Sequence, residues 1–219
     1  MSPLVAPMAQ YRQLPGKSRI ALQPRVINVH TMAGTLAGSY QWASGAGRAY
    51  WHFGIAGNGA IWQAQDLRYR AAADLEGNPY YISIETEDRG PLFRGDSDTA
   101  PPWTQAQVNS LVNLIDWLCR RFGIPRSIIP DTHVSRRGIG YHRLGIRHVS
   151  GRSDAPGGPW LKPGGLRTSN AVSKICPRTV RINQLRATVM PRVQRLPVRA
   201  TPPPPPPPPP PSAIPILGG

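Results

Sequence analysis

Apolar and polar positions fall into a few clear runs along the chain. Val26, Ile27 and Val29 in RVINVH (25–30) form a short β-branched run that predicts a buried strand ending on His30. Two apolar runs flank Gly57-Asn58-Gly59, which predicts a hairpin with strands near 50–55 and 60–64. YISIET (81–86) predicts a fourth strand that ends among Glu85, Glu87 and Asp88. From 104 to 123 the period changes to 3.6 residues. Val108, Leu111, Val112, Ile115, Leu118, Cys119 and Phe122 make one apolar stripe, Thr104 is an N-cap and Gly123 a C-terminal stop. A weaker helix is expected over 35–45. The segment 1–24 reads as irregular, 66–79 as loop with a helical turn, 135–160 as long loop, and the latter half of 170–185 as a terminal helix.

Strands followed by a long helix, with polar side chains at strand ends, read as an α/β pattern. Composition trims this picture at one end. Residues 202–211 are ten consecutive prolines, which cannot form helix or sheet and favour a stiff polyproline II rod. The expected division is a domain over 1–187, with its core at about 20–186, and a disordered basic and Pro-rich tail over 188–219. The tail could anchor or space the domain near an anionic surface.

The net charge is +15, with 26 Lys and Arg against 11 Asp and Glu, so polyanions are the expected partners. Nucleic acid and an acidic bacterial wall both qualify. No nucleic-acid motif is found, so the Arg pairs read as solvated surface. No stretch is long and apolar enough to span a membrane, and no secretory signal is seen. With two cysteines a disulfide framework is not expected, and Cys119 reads as a buried apolar side chain.

The candidate chemistry is a metal site. A catalytic zinc takes three protein ligands and keeps one position open. The chain has five histidines and no HExxH pair, so distant loops must supply the ligands. His30 ends a buried strand, and His142 lies in GIGYHRLG, where glycines allow close approach. His133 and His148 sit in Arg-rich stretches and read as solvated. His52 alternates with Trp51 and Phe53 and either lines a cleft or packs. The residues leave the third ligand open between Cys176 in KICP and Asp154 in GRSDAPGG.

Taken together, VINVHTMAG, YWHFGIAGNG, YISIE and GYHR…KICP resemble the N-acetylmuramoyl-L-alanine amidases of the type-2 amidase and peptidoglycan-recognition-protein superfamily. The similarity is greatest to amidase modules of phage endolysins that attack actinobacterial walls. It spans about residues 20–186. The resemblance implies an α/β fold with a mixed central sheet flanked by helices and a zinc in a surface cleft, and a hydrolase that cuts the amide between N-acetylmuramic acid and L-alanine in peptidoglycan. It maps His30 and His142 onto the first two ligands. KICP matches the family's K-x-[CD]-P pattern at every position, which selects Cys176 over Asp154; Arg178 stands where the family often has Gly. It places Glu85 on the catalytic carboxylate and Lys174 on the oxyanion-stabilising position. Some members use a Tyr just before the strand His, and here that position is Trp51. The implied protein is a monomer made in a host cytoplasm and acting at the wall. The rival readings are a non-catalytic peptidoglycan-binding module and a basic nucleic-acid-binding protein.

Overall fold

The computed structural model describes residues 2–88, 101–146, 163–171 and 174–197. Its centre is a six-stranded mixed sheet in the order β1-β4-β3-β5-β2-β6. The strands are β1 (Gln10–Tyr11), β2 (Val26–Ala33), β3 (Phe53–Ile55), β4 (Ile61–Gln63), β5 (Tyr81–Asp88) and β6 (Gly138–Tyr141). β2 runs parallel to both β5 and β6, β3 parallel to β5, and β3 and β4 form the antiparallel hairpin. The expected mixed sheet with flanking helices is the observed fold.

Side-chain alternation divides the sheet into two faces. Ile27 and Val29 of β2 join Ile82 and Ile84 of β5 in the main core, under helix α2 (Gln105–Phe122). Asn28 and His30 lie on the other face, in register with Ser83 and Glu85. That face meets helix α1 (Leu36–Ala43) through a smaller cluster that includes Met32, Leu36, Tyr50 and Trp51. Gly54 makes this contact possible, because a Cβ there would lie 2.3 Å from Leu36 Cδ1. The helix α2 has the expected ends. Thr104 and Gln107 form a capping box, and Gly123 closes it at φ +60°.

β1 lies in the stretch 1–24 that reads as irregular, and β2 runs on to Ala33 past His30, where the sequence predicts the strand to end; the structure departs from the sequence reading in four further places. β5 continues through Glu87 and Asp88, which are buried rather than solvated. Glu87 Oε2 accepts the Leu36 amide at 3.2 Å, and Asp88 faces Arg178 and Arg181. The hairpin strands are shorter than expected, since Tyr50 leaves the ladder to pair with Ala72. The Gly-rich stretch 138–141 is strand β6, not loop. A Cβ on Gly140 would sit 3.0 Å from Asn28 Oδ1, so its glycines reflect close packing against β2.

The fourth difference concerns the domain end. Helix α3 (Thr179–Gln184) runs through a π-helical turn (Leu185–Val189) into α4 (Met190–Arg195). Val189, Met190 and Val193 are all buried in the main core. A boundary at 187 therefore falls inside a helix, and the folded unit reaches at least Arg195. The polyproline run and the rest of 198–219 lie outside the described residues.

His52 packs rather than lining the cleft. It is fully buried, with Nε2–H donating to Tyr69 O at 3.0 Å and Nδ1 accepting the Ser83 amide at 3.1 Å. Burial lowers its pKa to about 4. Cys119 is buried on the α2 stripe, and burial pushes its thiol up to about 12.

Truncation after residue 187 removes three core side chains worth about 1.5–3 kcal/mol each, a sum comparable to a domain's whole stability. Residues 1–187 should therefore fail to give a cooperative thermal transition, while residues 1–197 should melt like the full chain. His52 makes stability depend on pH. Its folded pKa lies below the unfolded value, so its contribution is complete above about 6.5 and is lost as pH falls toward 4. On the order of 3 kcal/mol should disappear across that window. Urea midpoints measured from pH 7 to 4 should fall less steeply in His52→Gln than in the parent chain.

Candidate metal centre

His30, His142 and Cys176 reach one point from three separate elements, and their ligand atoms all lie within 4.8 Å of one another. His30 sits within β2, three residues before its end at Ala33 and one past the last residue paired with β6. His142 opens the 3-10 turn His142–Gly145 directly after β6. Cys176 lies just before α3. All three are nearly fully buried.

The hydrogen bonds select which nitrogen each imidazole turns to the centre. His30 Nε2 lies 3.0 Å from Asp74 Oδ1. Asp74 is wholly buried and accepts from Asn28 Nδ2 at 2.6 Å and Ser83 Oγ at 2.5 Å. An ionised carboxylate only accepts, so the His30 proton resides on Nε2 and Nδ1 faces the cleft. His142 is held likewise: Nε2–H donates to Thr168 O at 3.0 Å, and Thr168 Oγ1 donates to His142 O at 2.9 Å. Its Nδ1 is buried and has no hydrogen-bond partner. A buried acceptor left in this way marks a place where something else should bind. The Cys176 Sγ accepts the Thr31 amide at 3.2 Å.

Electrostatics follow the same geometry. Burial opposes protonation of His30, but the charges of Asp74 and Glu85 outweigh it and raise its pKa well above the usual value. Burial lowers the His142 pKa well below its usual value, and the charges of His30 and Lys174 add to this. Asp74 is also penalised by burial, yet His30 and the donors around it hold it well below the ordinary carboxylate range. Glu85 is raised by burial, partly offset by His30 and Lys174.

These groups floor a cleft of about 530 Å³. Glu85 Oε1 stands 3.6 Å from His30 Nδ1, and Lys174 lines the cleft together with His142 and Cys176. Trp51 and the half-exposed Trp42 line the cleft as well. Two buried arginines brace the floor. Arg181 donates to Thr31 Oγ1 at 2.9 Å, and Arg143 donates to Ile175 O at 2.6 Å.

Five residues singled out from sequence thus meet in one cleft: His30, Glu85, His142, Lys174 and Cys176. Asp154 and His148 lie outside the described residues. His133 bonds Ser135 at 2.7 Å, away from the site. Sequence reasoning missed Asp74, Asn28, Ser83 and Thr168. Nothing local flags Asp74, a carboxylate in the mixed polar stretch 66–79. The only signal was the pair of polar residues, Asn28 and Ser83, inside otherwise apolar strands.

The donor set suits zinc. Two neutral imidazole nitrogens and a thiolate are a soft, three-ligand set with room for a fourth position, and the histidines carry the outer hydrogen bonds that zinc ligands usually have.

No curated protein matches the chain in sequence. Among solved structures, Staphylococcus aureus hydrolase AmiA in complex with its ligand superposes with a TM-score of 0.51 at 16% identity, over 64% of this chain and 68% of that one. At that identity the likeness is one of fold. PlyL gives 0.49 at 13% identity over 85% and 94% of the two chains, and the AmpD derivative gives 0.44 at 17% over 72% and 92%. The family model described as N-acetylmuramoyl-L-alanine amidase matches residues 21–158. That match includes His30, Glu85 and His142 and stops short of Cys176, but it spans well over half of the sequence, and the chain belongs to the N-acetylmuramoyl-L-alanine amidase family.

Proposed function

We propose that the chain is a zinc-dependent peptidoglycan hydrolase, an endolysin-type amidase that cuts the bond between N-acetylmuramic acid and L-alanine. The observation that carries this reading is the convergence of two Nδ1 atoms and a thiol on one point beside a carboxylate and an ammonium. His30, His142 and Cys176 would hold the ion. A bound zinc would supply Lewis acidity, lowering the pKa of a water and polarising the substrate carbonyl.

The remaining steps belong to the chain's own residues. Glu85 takes a proton from the attacking water, whose oxygen adds to the lactyl carbonyl carbon. Its raised pKa suits it to hold that proton and then release it to the alanine nitrogen. Lys174 Nζ faces the oxyanion that forms on addition. The C–N bond then breaks, leaving a lactyl carboxylate on the sugar and a free amine on the stem peptide. Asp74 does not touch substrate; it holds His30 in the tautomer that presents Nδ1.

The endolysin assignment draws on the GYHR…KICP pattern, and the basic surface suits an anionic wall. Among the described residues no helix is long and apolar enough to cross a membrane. Synthesis in a host cytoplasm and action as a monomer belong to the same proposal.

Glu85→Gln should retain one zinc per chain and lose roughly 10²–10⁴-fold in wall-lysis rate. Zinc content by atomic absorption, read beside a turbidity assay, separates it from His30→Ala, which should lose both. A Glu85→Gln protein that clears walls at the parent rate contradicts the assigned base. Zinc bound without any lysis by the parent would favour a binding module instead. Asp74→Asn keeps the size but not the charge, and zinc affinity measured by chelator competition should drop about 10–100-fold. An unchanged affinity would show that Asp74 does not orient His30.

A further inference from the structure

The loop that carries the third candidate ligand is gripped by the chain neighbours of the other two. Thr31 follows His30 on β2, and Arg143 follows His142 in the 3-10 turn. The Thr31 amide donates to Cys176 Sγ at 3.2 Å, and Thr31 Oγ1 donates to Pro177 O at 3.2 Å. Arg143 Nη2 donates to Ile175 O at 2.6 Å, and Nη1 donates to Thr179 Oγ1 at 2.9 Å. Ile175 stands between Lys174 and Cys176 in the chain, and both of those line the cleft.

Stability alone does not account for a charge at position 143. Arg143 is 1% exposed, and taking a guanidinium out of water is costly even when its donors are met. An apolar side chain of similar volume is often at least as stabilising in such a place. It could not, however, hold two oxygens four residues apart, which a planar fork of donors can. The loop so held is itself constrained. Arg178 stands at φ +86°, where a side chain is strained, and such a conformation persists only where its surroundings overdetermine it. The Arg178 amide also donates to Ile175 O, at 2.5 Å, and its side chain meets Asp88 at 3.5 Å. The Ile175 carbonyl is thus the point at which the turn of the loop and the Arg143 fork join.

We propose that Arg143 is a positioning residue that sets Cys176 and Lys174 against His142. This rests on reading the cleft as a zinc amidase site. Arg143 acts through the Ile175 carbonyl. Because it adjoins His142 in the chain, one short turn fixes the second ligand directly and the third through the guanidinium. Lys174, one residue before Ile175, is carried with them. The three ligands are thereby brought together by the fold itself, so that an arriving ion does not have to order the loop.

The test uses the full chain loaded with cobalt(II) in place of zinc, because a thiolate bound to cobalt gives a near-ultraviolet charge-transfer band that reports on Cys176. The band should appear in the parent and be absent from Cys176→Ala. Arg143→Lys keeps the charge but not the fork, and Thr179→Val removes one acceptor while leaving Arg143 in place. In Arg143→Lys the band should lose intensity, and zinc affinity by chelator competition should fall about tenfold. Thr179→Val should show the same changes to a smaller extent. At saturating zinc, Arg143→Lys should lower kcat about tenfold on a soluble muropeptide and leave KM unaltered, because Lys174 acts on the oxyanion. An unchanged band and affinity in Arg143→Lys overturn the proposal even if its melting temperature falls, since Arg143 would then be a packing residue. Should Arg143→Lys not fold, Thr179→Val decides alone, and a parental band and affinity there overturn the proposal. A parent that takes up no metal refutes the zinc reading and the proposal with it. A parent that shows the band but cleaves no muropeptide refutes the amidase reading alone, and the band and affinity still decide the role of Arg143.

Discussion

The hydrogen bond between Asp74 and His30 is the constraint on which the site depends. A neutral imidazole can offer either nitrogen to a metal, and only one choice faces the cleft. A carboxylate in a dry interior decides the matter, provided it stays ionised. Asp74 does so because Asn28, Ser83 and His30 all donate to it. The Thr168 carbonyl plays the same part for His142. Both rings are thereby held by their far edge, and both turn Nδ1 toward the cleft.

The sheet is arranged around that contact. β2 and β5 pair over eight residues, which sets Asn28 beside Ser83 and His30 beside Glu85 on a single face. The opposite face of the same strands carries the isoleucines and valines that pack under α2, so the polar face is supported by the main core. Charge is distributed in the same spirit. Asp66, Asp74, Glu87, Asp88, Asp116 and Asp131 are buried, more than half of the 11 acidic residues in the chain. Most of the carboxylates therefore work inside the fold, which leaves basic residues to dominate the charged surface.

Some of this was legible in the sequence and some was not, for physical reasons. The long helix announced itself through its period and both caps, because those signals are local. β2 was legible because a buried strand is continuously apolar. β6 was not, since its glycines serve close packing and resemble a loop in one dimension. Glu87 and Asp88 looked like a solvated turn, because their arginine partners lie some ninety residues onward. The candidate ligands lay in short motifs that a family resemblance could pick out. Asp74 lay in none, since its role arises only when a loop folds under two strands. The terminal helix was cut too early because the basic composition of 186–195 hides three core side chains.

The mass of the products from purified peptidoglycan is the measurement closest to the central claim. Zinc-loaded protein should release stem peptides with a free L-alanine amine and leave glycan strands whose lactyl groups end in carboxylates. Removing the zinc by chelation should abolish both products, and adding zinc back should restore them. New reducing sugar ends, cuts between peptide residues, or undiminished release by the zinc-free protein would contradict the account.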